Sequence, residues 1–325
     1  MQPRANPYLV GHAGAEAAFE EALVAGRLHH AWLLTGPPGI GKATLAFRMA
    51  RRLFAGPGRL AHDPALPLFR RVAEGSHSDL LTIERELGPK GKLRTEIVVD
   101  TVRAAPAFLH LTPAEGGWRV VVVDGAETMN RNAANALLKV LEEPPARAVL
   151  ILTCAAPGRL PPTVRSRCRL LRLLPLTEAE MAHVLPLILP DIDGPAQAKL
   201  IGLSGGAPGR AVALHGEGVE MAGLVQDVLR DPGMPFARVQ AVADRVAKAE
   251  DGYSAFMTAL RREIAIRVRL QAAGGPVWQE RPLAQSYDVW HTLGRLQDET
   301  ERSRLDQRHA VASALDVLSG RTEKP

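Results

Sequence analysis

The sequence has very little cysteine. Its 325 residues include two cysteines, Cys154 and Cys168, and neither belongs to a Cys-x-x-Cys pair. Two separated thiols cannot build a disulfide framework, and they are too few for a structural zinc site. The sequence therefore predicts two free thiols, buried or partly buried, in a reducing compartment.

Aromatic residues are also scarce, at 4% of the chain. A platform that stacks single-stranded bases needs several exposed aromatic rings, so this kind of nucleic-acid recognition is disfavoured. The net charge of +5 and the pI near 9.5 permit an anionic partner without demanding one.

Long apolar runs are missing as well. The run AVLILTCAAPG is interrupted well before it reaches the length of a membrane span. The opening residues MQPRANPYLV lack the apolar stretch of a secretory signal. We therefore expect no membrane segment and a cytoplasmic protein, with length enough for two or three domains.

The first half of the chain alternates strand-like and helix-like stretches. Strands are predicted in HAWLLTG, RVVVV and AVLILTC, and RTEIVVDTVRAAPAFL is predicted as a strand followed by a helix. Two more helices are predicted in KATLAFRMARRLF, with its arginines away from its apolar face, and in NRNAANALLKVLEE, which ends at Pro144. This alternation is typical of a parallel α/β sheet.

From about Leu176 the pattern becomes helical. Thr177 and Glu180 have the spacing of a capping box at the start of the first of these helices. Two later stretches carry apolar residues at helical spacing: Phe256, Leu260, Ile264 and Val268 in one, and Leu305, Val311, Leu315 and Leu318 in a predicted last helix.

The segment GPPGIGKAT, residues 36–44, is almost a phosphate-binding loop. Gly36, Gly39 and Gly41 lie between a predicted strand and a predicted helix, where backbone N–H groups and the helix dipole favour a phosphate. Lys42 follows and would reach the outer phosphates. The next position normally carries a hydroxyl that binds Mg²⁺, but here it is Ala43.

A second motif, VVVVDGAE, ends a predicted strand with Asp124, the usual second partner of the magnesium ion. Many ATPases have a glutamate next, to orient the attacking water, but here Gly125 follows. Thr44 is expected to point away from the site, and Glu127 lies past the strand end. Two losses in one reaction predict a nucleotide site that no longer hydrolyses.

A third motif, PTVRSRC, places Arg165, Arg167 and Arg169 after the strand AVLILTC. These arginines fit a solvated basic turn. They equally fit an arginine finger, a guanidinium that enters a neighbouring subunit's site and neutralises charge in the transition state. The residues alone leave both interpretations open.

Together, the motifs GRLHHAWLLTGPPGIGKATLA, GGWRVVVVDGAETMNRNAANALLKVLEEPP, LPPTVRSRCRLLRL and LSGGAPGRAVAL resemble the AAA+ subunits of the bacterial sliding-clamp loader. The resemblance covers residues 8 to about 214, and RLDQRHAVASALDVL is more weakly similar to the family's collar. Family motors, gamma and tau, keep the hydroxyl and the glutamate that are missing here. The delta type has little of the loop and lacks Ser166-Arg167-Cys168, so the pattern is most similar to the delta-prime type.

The resemblance implies three domains: an α/β AAA+ nucleotide-binding-type domain (1–175), a helical lid (176–216) and an all-α collar for oligomerisation (217–325). It implies a DNA polymerase III component without catalysis of its own, which helps load the sliding clamp onto primed DNA. Its partners would be gamma or tau and delta in a five-subunit ring, with Arg167 supplied to a neighbouring motor. No cofactor is required, although ATP or ADP could still bind without hydrolysis.

Two departures from the family pattern stand out. Many relatives carry a cysteine-rich zinc module after the first helix, whereas GRLAHDPALPLFRRVAEGSHSDL has no cysteine, so we predict no zinc. Its two histidines, His62 and His77, are expected to be exposed loop residues. Arg210, in GGAPGRA, lies one position away from the phosphate-sensing arginine of family motors.

Two alternatives belong to other functional classes. One is an active AAA+ ATPase of DNA replication or repair, in which Thr44 and Glu127 replace the missing groups. The other is a DNA-binding module that uses LRREIAIRVRLQ as a basic helix, although its arginines do not share one face.

Overall fold

The computed structural model describes residues 2–56, 61–88, 93–115, 117–215, 217–249, 251–272, 274, 277–303 and 305–320. The chain divides into two compact units, Met1–Val212 and Ala213–Pro325. Each unit has its own buried core. The predicted lid–collar boundary falls at Gly216, outside the described residues, so the three-domain division stays a prediction.

Five strands form one parallel sheet in the first unit. They are β1 (Ala31–Thr35), β2 (Leu80–Ile83), β3 (Arg119–Val123), β4 (Ala148–Cys154) and β5 (Arg169–Arg172). The order is β2-β3-β4-β1-β5, and every pair is parallel. The carboxyl ends of β3, β4 and β1 therefore meet at one edge of the sheet.

Helices account for most of the remaining described chain. In chain order they are α1 (Ala13–Val24), α2 (Lys42–Ala55), α3 (Pro67–Glu74), α4 (Val99–Val102), α5 (Ala104–His110), α6 (Arg131–Ala136), α7 (Leu138–Glu142), α8 (Pro162–Arg165), α9 (Glu178–Ile188), α10 (Gly194–Ser204), α11 (Pro208–Leu214), α12 (Glu217–Arg230), α13 (Phe236–Lys248), α14 (Gly252–Ala272), α15 (Leu283–Ser303) and α16 (Gln307–Ser319). The predicted fold class, a parallel α/β sheet domain followed by helices, is confirmed.

The central strands are apolar throughout because both faces of the sheet are covered. Trp32 and Leu34 of β1 pack in one core with Leu45 of α2, whereas Leu33 packs in the other core with Leu137. The predicted strands HAWLLTG, RVVVV and AVLILTC are confirmed.

The predicted strand in RTEIVV is wrong. The position next to β3 is occupied by β2, which pairs Leu80–Ile83 with Val120–Val123, and Ile97 makes only an isolated bridge to Met129. Neither β2 nor the edge strand β5 was predicted. Both are four residues long, and β5 carries an arginine at each end.

The helical predictions of the second half mostly hold. Thr177 and Glu180 form the capping box of α9, with the Glu180 amide donating to Thr177 at 3.3 Å. The apolar residues predicted on α14 and α16 lie in or against the core of the second unit. Leu305 is the exception, because it precedes α16 and is exposed.

The predicted exposure of the two histidines is wrong. His77 is only 3% exposed, and its ring stacks on Phe54 at 4.0 Å. His62 is partly buried, and this burial, together with Arg48 and Arg51, lowers its pKa to about 4. Both imidazoles therefore favour the neutral form.

The two cysteines are free thiols, as predicted. Burial raises the pKa of Cys154 to about 11 and that of Cys168 to about 12. Across the part of the chain that the structure describes, no helix has the length and apolar character to cross a membrane. Within the same residues, no group of three or more His, Cys, Asp or Glu side chains is placed to hold a metal ion.

Candidate functional site

The glycine-rich loop connects β1 to α2 at the carboxyl edge of the sheet. Gly39 and Gly41 adopt φ values of +79° and +107°, a region that side chains other than glycine rarely enter. Lys42 then begins α2, a helix of 14 residues. The loop thus has the backbone geometry of a phosphate cradle at the positive end of a helix.

Lys42 is turned back onto this loop. Its ammonium donates to the carbonyl oxygens of Gly36 and Pro37 at 2.8 and 2.7 Å, and the residue is 8% exposed. Desolvation lowers the pKa of Lys42, and the carboxylates of Glu127 and Asp124 partly offset that effect. The loop carbonyls therefore satisfy the charge that a phosphate would otherwise neutralise.

Asp124 follows β3, and its carboxylate accepts a hydrogen bond from the Thr153 hydroxyl at 2.5 Å. The same hydroxyl accepts from the Gly125 amide at 2.9 Å. Thr153, on β4, was not recognised from the sequence. The signal available was its place near the end of the buried strand next to β3, which brings it to the same edge.

The residues around Asp124 do not fit a magnesium ion. Ala43 offers no oxygen where the hydroxyl ligand is needed, and Gly125 offers no carboxylate. Thr44, expected to point away, is among the residues that line the adjoining cavity and is 7% exposed. Asp124 is the one predicted magnesium partner present among these positions, and one of its carboxylate oxygens accepts from Thr153.

A cavity of about 320 Å³ adjoins the loop. Gly39, Gly41, Lys42, Ala43 and Asp124 lie together on its wall, as the motifs predicted. Its apolar wall comes from segments that sequence analysis did not connect with the site: residues 8–10 near the start of the chain, Val184 and Ile188 of α9, and Val212 of α11. Apolar walls with a few polar groups are typical of small-molecule sites.

Arginines of α2 hold the N-terminal segment beside this cavity. Arg51 is fully buried, and its guanidinium donates to the carbonyl oxygens of Arg4 and Asn6 at 3.0 and 3.4 Å. Arg48 donates to the carbonyl of Pro7 at 3.1 Å. Desolvation lowers the pKa of Arg51 to about 10. The arginines were predicted to lie away from the apolar face of α2, and Arg51 is nevertheless buried because it contacts the N-terminal segment.

The start of α11 contacts the loop through its backbone. The Gly209 amide donates to the Gly39 carbonyl at 2.8 Å, and a Cβ on Gly209 would lie 3.0 Å from the Gly39 Cα. Arg210 is not among the described residues that line the cavity. Its guanidinium lies instead near Gly205, where an added Cβ would be 3.7 Å away.

Arg167 lies in the turn between α8 and β5, outside the cavity wall. One terminal nitrogen donates to the Thr163 carbonyl at 3.0 Å, and the other is 2.8 Å from the Glu142 carboxylate. Arg165 and Arg169 are more exposed, and Arg169 lies over the Trp32 ring at 5.1 Å. Arg167 is thus not among the described residues on the cavity wall, and its role as a finger stays a prediction.

Two arginines of LRREIAIRVRLQ make contacts within the second unit. On α14, Arg261 donates to Gln297 at 2.9 Å and lies over the Trp290 ring at 5.6 Å, while Arg267 contacts Glu263 at 3.5 Å. These contacts favour a packed and solvated helix over a DNA-binding face.

Comparison with known proteins identifies the family. A family model described as DNA polymerase III, delta subunit, matches residues 11–177, just over half of the chain. The chain belongs to this family. Within the clamp-loader proteins of DNA polymerase III it is delta-prime-like, as its similarity to named subunits shows.

The delta-prime subunit of Pseudomonas aeruginosa is 43% identical over 195 residues, and that of Escherichia coli is 36% identical over 196. The gamma subunit of Buchnera aphidicola is 31% identical over 183 residues. Each match covers 56–58% of this chain, and the chain spans 57%, 55% and 48% of those proteins respectively. Membership in the clamp-loader family agrees with the predicted AAA+ type of the α/β unit.

Proposed function

We propose that this chain is a delta-prime-like subunit of a DNA polymerase III clamp loader that does not hydrolyse ATP in its own site. It would sit in a five-subunit ring with gamma or tau and delta, and would support loading of the sliding clamp onto primed DNA. Family membership and the similarity to delta-prime and gamma subunits support this proposal.

The replacement of two expected groups by Ala43 and Gly125 carries the proposal about hydrolysis. In a working P-loop site the carboxylate at the position of Asp124 serves the magnesium ion that bridges the β- and γ-phosphates. Here the Asp124 carboxylate remains, with one oxygen accepting from Thr153, but the loop offers Ala43 and Gly125 takes the place of the glutamate. The cradle is kept and the hydrolytic groups are lost.

Residual binding of ATP or ADP is compatible with this site. Gly39, Gly41 and Lys42 would hold the phosphates, and the apolar wall of the cavity would cover the base. We propose that no cofactor and no zinc are required for the chain's role. Assembly would depend on the collar, whose core is formed by the second unit.

Arg167 is proposed to complete the ATP site of an adjacent motor subunit. Arginine fingers of this kind contribute about 10³- to 10⁵-fold to hydrolysis. A lysine would not replace it, because a point charge cannot make the planar bidentate contact with phosphate oxygens.

The first experiment measures ATP turnover by the purified chain, with Lys42→Ala as its control. We expect turnover at background level in both proteins, because Ala43 cannot bind magnesium as a hydroxyl would and Gly125 cannot orient the attacking water as a glutamate would. Turnover at the rate of an ordinary P-loop motor, abolished by Lys42→Ala, would contradict the proposal.

The second experiment uses a reconstituted clamp-loader complex that carries Arg167→Ala or Arg167→Lys. Both variants should assemble and bind ATP normally but slow hydrolysis and clamp loading, because the finger acts on charge that develops in the transition state. Arg165→Ala, two residues away and exposed, is the matched control. Normal rates of hydrolysis and clamp loading for both Arg167 variants would contradict the finger and favour the interpretation as a solvated basic turn.

One observation favours the alternative of an active ATPase. The carboxylate of Glu127, followed by that of Asp124, raises the pKa of Lys42 against the larger lowering by desolvation, and one Glu127 oxygen is buried without a hydrogen-bond partner. A glutamate that orients the attacking water from a shifted position in the sequence would have these features. If the purified chain hydrolyses ATP and Glu127→Gln abolishes the activity, the alternative replaces the proposal.

A further inference from the structure

The candidate finger is held in the isolated chain by two separate groups. The Thr163 carbonyl accepts from one terminal nitrogen of Arg167, and the Glu142 carboxylate lies 2.8 Å from the other. Because an arginine side chain has several free torsions, one contact would leave it mobile, whereas two contacts on different nitrogens fix the plane of the guanidinium.

The backbone beneath Arg167 is fixed by the core. Val164 of α8 is fully buried, and the Cys168 thiol lies 3.2 Å from the Val164 carbonyl, to which it donates. The turn therefore has little freedom of its own. What remains variable is the Arg167 side chain, and that is the part that Glu142 and Thr163 restrain.

The position of Glu142 is not explained by its own helix. It is the last residue of α7, where the negative end of the helix dipole disfavours a carboxylate. It is also exposed, so packing does not demand it. Its contact with Arg167 supplies the compensating charge and links α7 to the turn after α8.

We infer that Glu142 is the positioning residue of the Arg167 finger: it orients the guanidinium before assembly, so that the N–H groups not used by Glu142 and Thr163 are presented to the phosphates of a neighbouring subunit. This role rests on the proposed function, since it requires Arg167 to act in trans. Pre-orientation lowers the entropy lost when the finger engages.

The first test needs only the purified chain. Phenylglyoxal modifies arginine, and a guanidinium held by a carboxylate reacts more slowly. Glu142→Ala should raise the modification rate of Arg167 by about two- to five-fold, the range of an exposed ion pair. Arg165 is the internal reference, and Glu143→Ala, at the adjacent exposed position, is the matched variant. An unchanged Arg167 rate in Glu142→Ala would overturn the inference.

The second test uses the reconstituted complex in a single turnover of ATP. Glu142→Ala should slow, by about two- to five-fold, the same phase that Arg167→Ala slows, with the apparent affinity for ATP unchanged. Glu142→Gln, which keeps an acceptor oxygen, should recover part of the rate. Adding Glu142→Ala to Arg167→Ala should have no further effect.

The outcomes separate the two proposals. If Arg167→Ala slows hydrolysis and Glu142→Ala does not, the positioning role is wrong and the finger stands. If Arg167→Ala has no effect on hydrolysis, the finger itself is wrong, whatever the chemical modification shows. Faster ATP hydrolysis in the complex that carries Glu142→Ala would mean that the carboxylate holds the guanidinium back from the neighbouring site, which also overturns the inference.

Discussion

The variant Gly209→Ala tests whether backbone contact fixes α11 to the glycine-rich loop. Gly209→Ala adds a Cβ at 3.0 Å from the Gly39 Cα and 3.1 Å from the Gly39 carbonyl oxygen, without requiring a positive φ. Both neighbouring atoms are backbone, so they cannot move aside as the end of a flexible side chain can.

The sign of the effect decides the question. In an open helix, alanine is more favourable than glycine by about 0.5–1 kcal/mol. Against that gain, overpacking costs about 1–3 kcal/mol, and weakening the Gly209–Gly39 hydrogen bond costs about 0.5–1.5 kcal/mol. We therefore expect Gly209→Ala to destabilise the packing of α11 on the loop by about 0.5–4 kcal/mol.

The matched control is Gly202→Ala in α10, where an added Cβ meets no atom within 4 Å. It should be neutral or stabilise by up to about 1 kcal/mol. Urea unfolding followed by circular dichroism gives the free energies, and native-state hydrogen exchange of the α10 and α11 amides localises them. Equal stabilisation by both alanines would refute the reasoning, because the Gly209–Gly39 contact would then cost nothing to disturb.

Two further outcomes follow from the same unit. Ala43→Thr restores the missing hydroxyl and should tighten ATP binding about five-fold, or ~1 kcal/mol, in Mg²⁺ but not in EDTA; equal affinity under both conditions would show that the position does not reach the metal. His62 has a folded-state pKa of about 4, below its ordinary value of 6.5, so the unfolded chain binds the proton first. Neutral His62 therefore contributes fully to the free energy of unfolding above pH 6.5, and this contribution is lost as the pH falls towards 4. The loss is about 1–3 kcal/mol after allowing for its side-chain exposure of 24%. His62→Gln should flatten the dependence of unfolding free energy on pH in this window, and an unchanged slope would contradict the assignment.

The parts of the fold that the sequence predicted are those with a strong local pattern. β1, β3 and β4 are apolar runs because both of their faces are buried, and their carboxyl ends carry the glycine-rich loop and Asp124. β2 and β5 are edge strands of four residues, too short for a clear period. RTEIVV has high strand propensity, yet its place beside β3 is taken by β2, and propensity yields to tertiary pairing.

The sequence predicted that Lys42 and Asp124 lie at one site, but it did not predict the residues that surround them. Lys42 and Asp124 were found because their motifs are local. Thr153, Gly209 and the buried Arg51 act through contacts with residues far away in the chain, and no local pattern marks them. Glu142 lies within the motif LLKVLEEPP, but its partner lies 25 positions further on, at Arg167.

The division into two units also divides the tryptophans of the chain equally. Trp32 is fully buried in the first unit, edge-on to Phe19 at 5.3 Å, and Trp118 packs against the same core. Trp278 and Trp290 belong to the core of the second unit. The tryptophan fluorescence of the intact protein is therefore the sum of the emission from both units. A single melting temperature read from total emission would describe neither unit unless they unfold together. Replacing Trp278 and Trp290 by phenylalanine would leave an emission spectrum that belongs to the first unit alone.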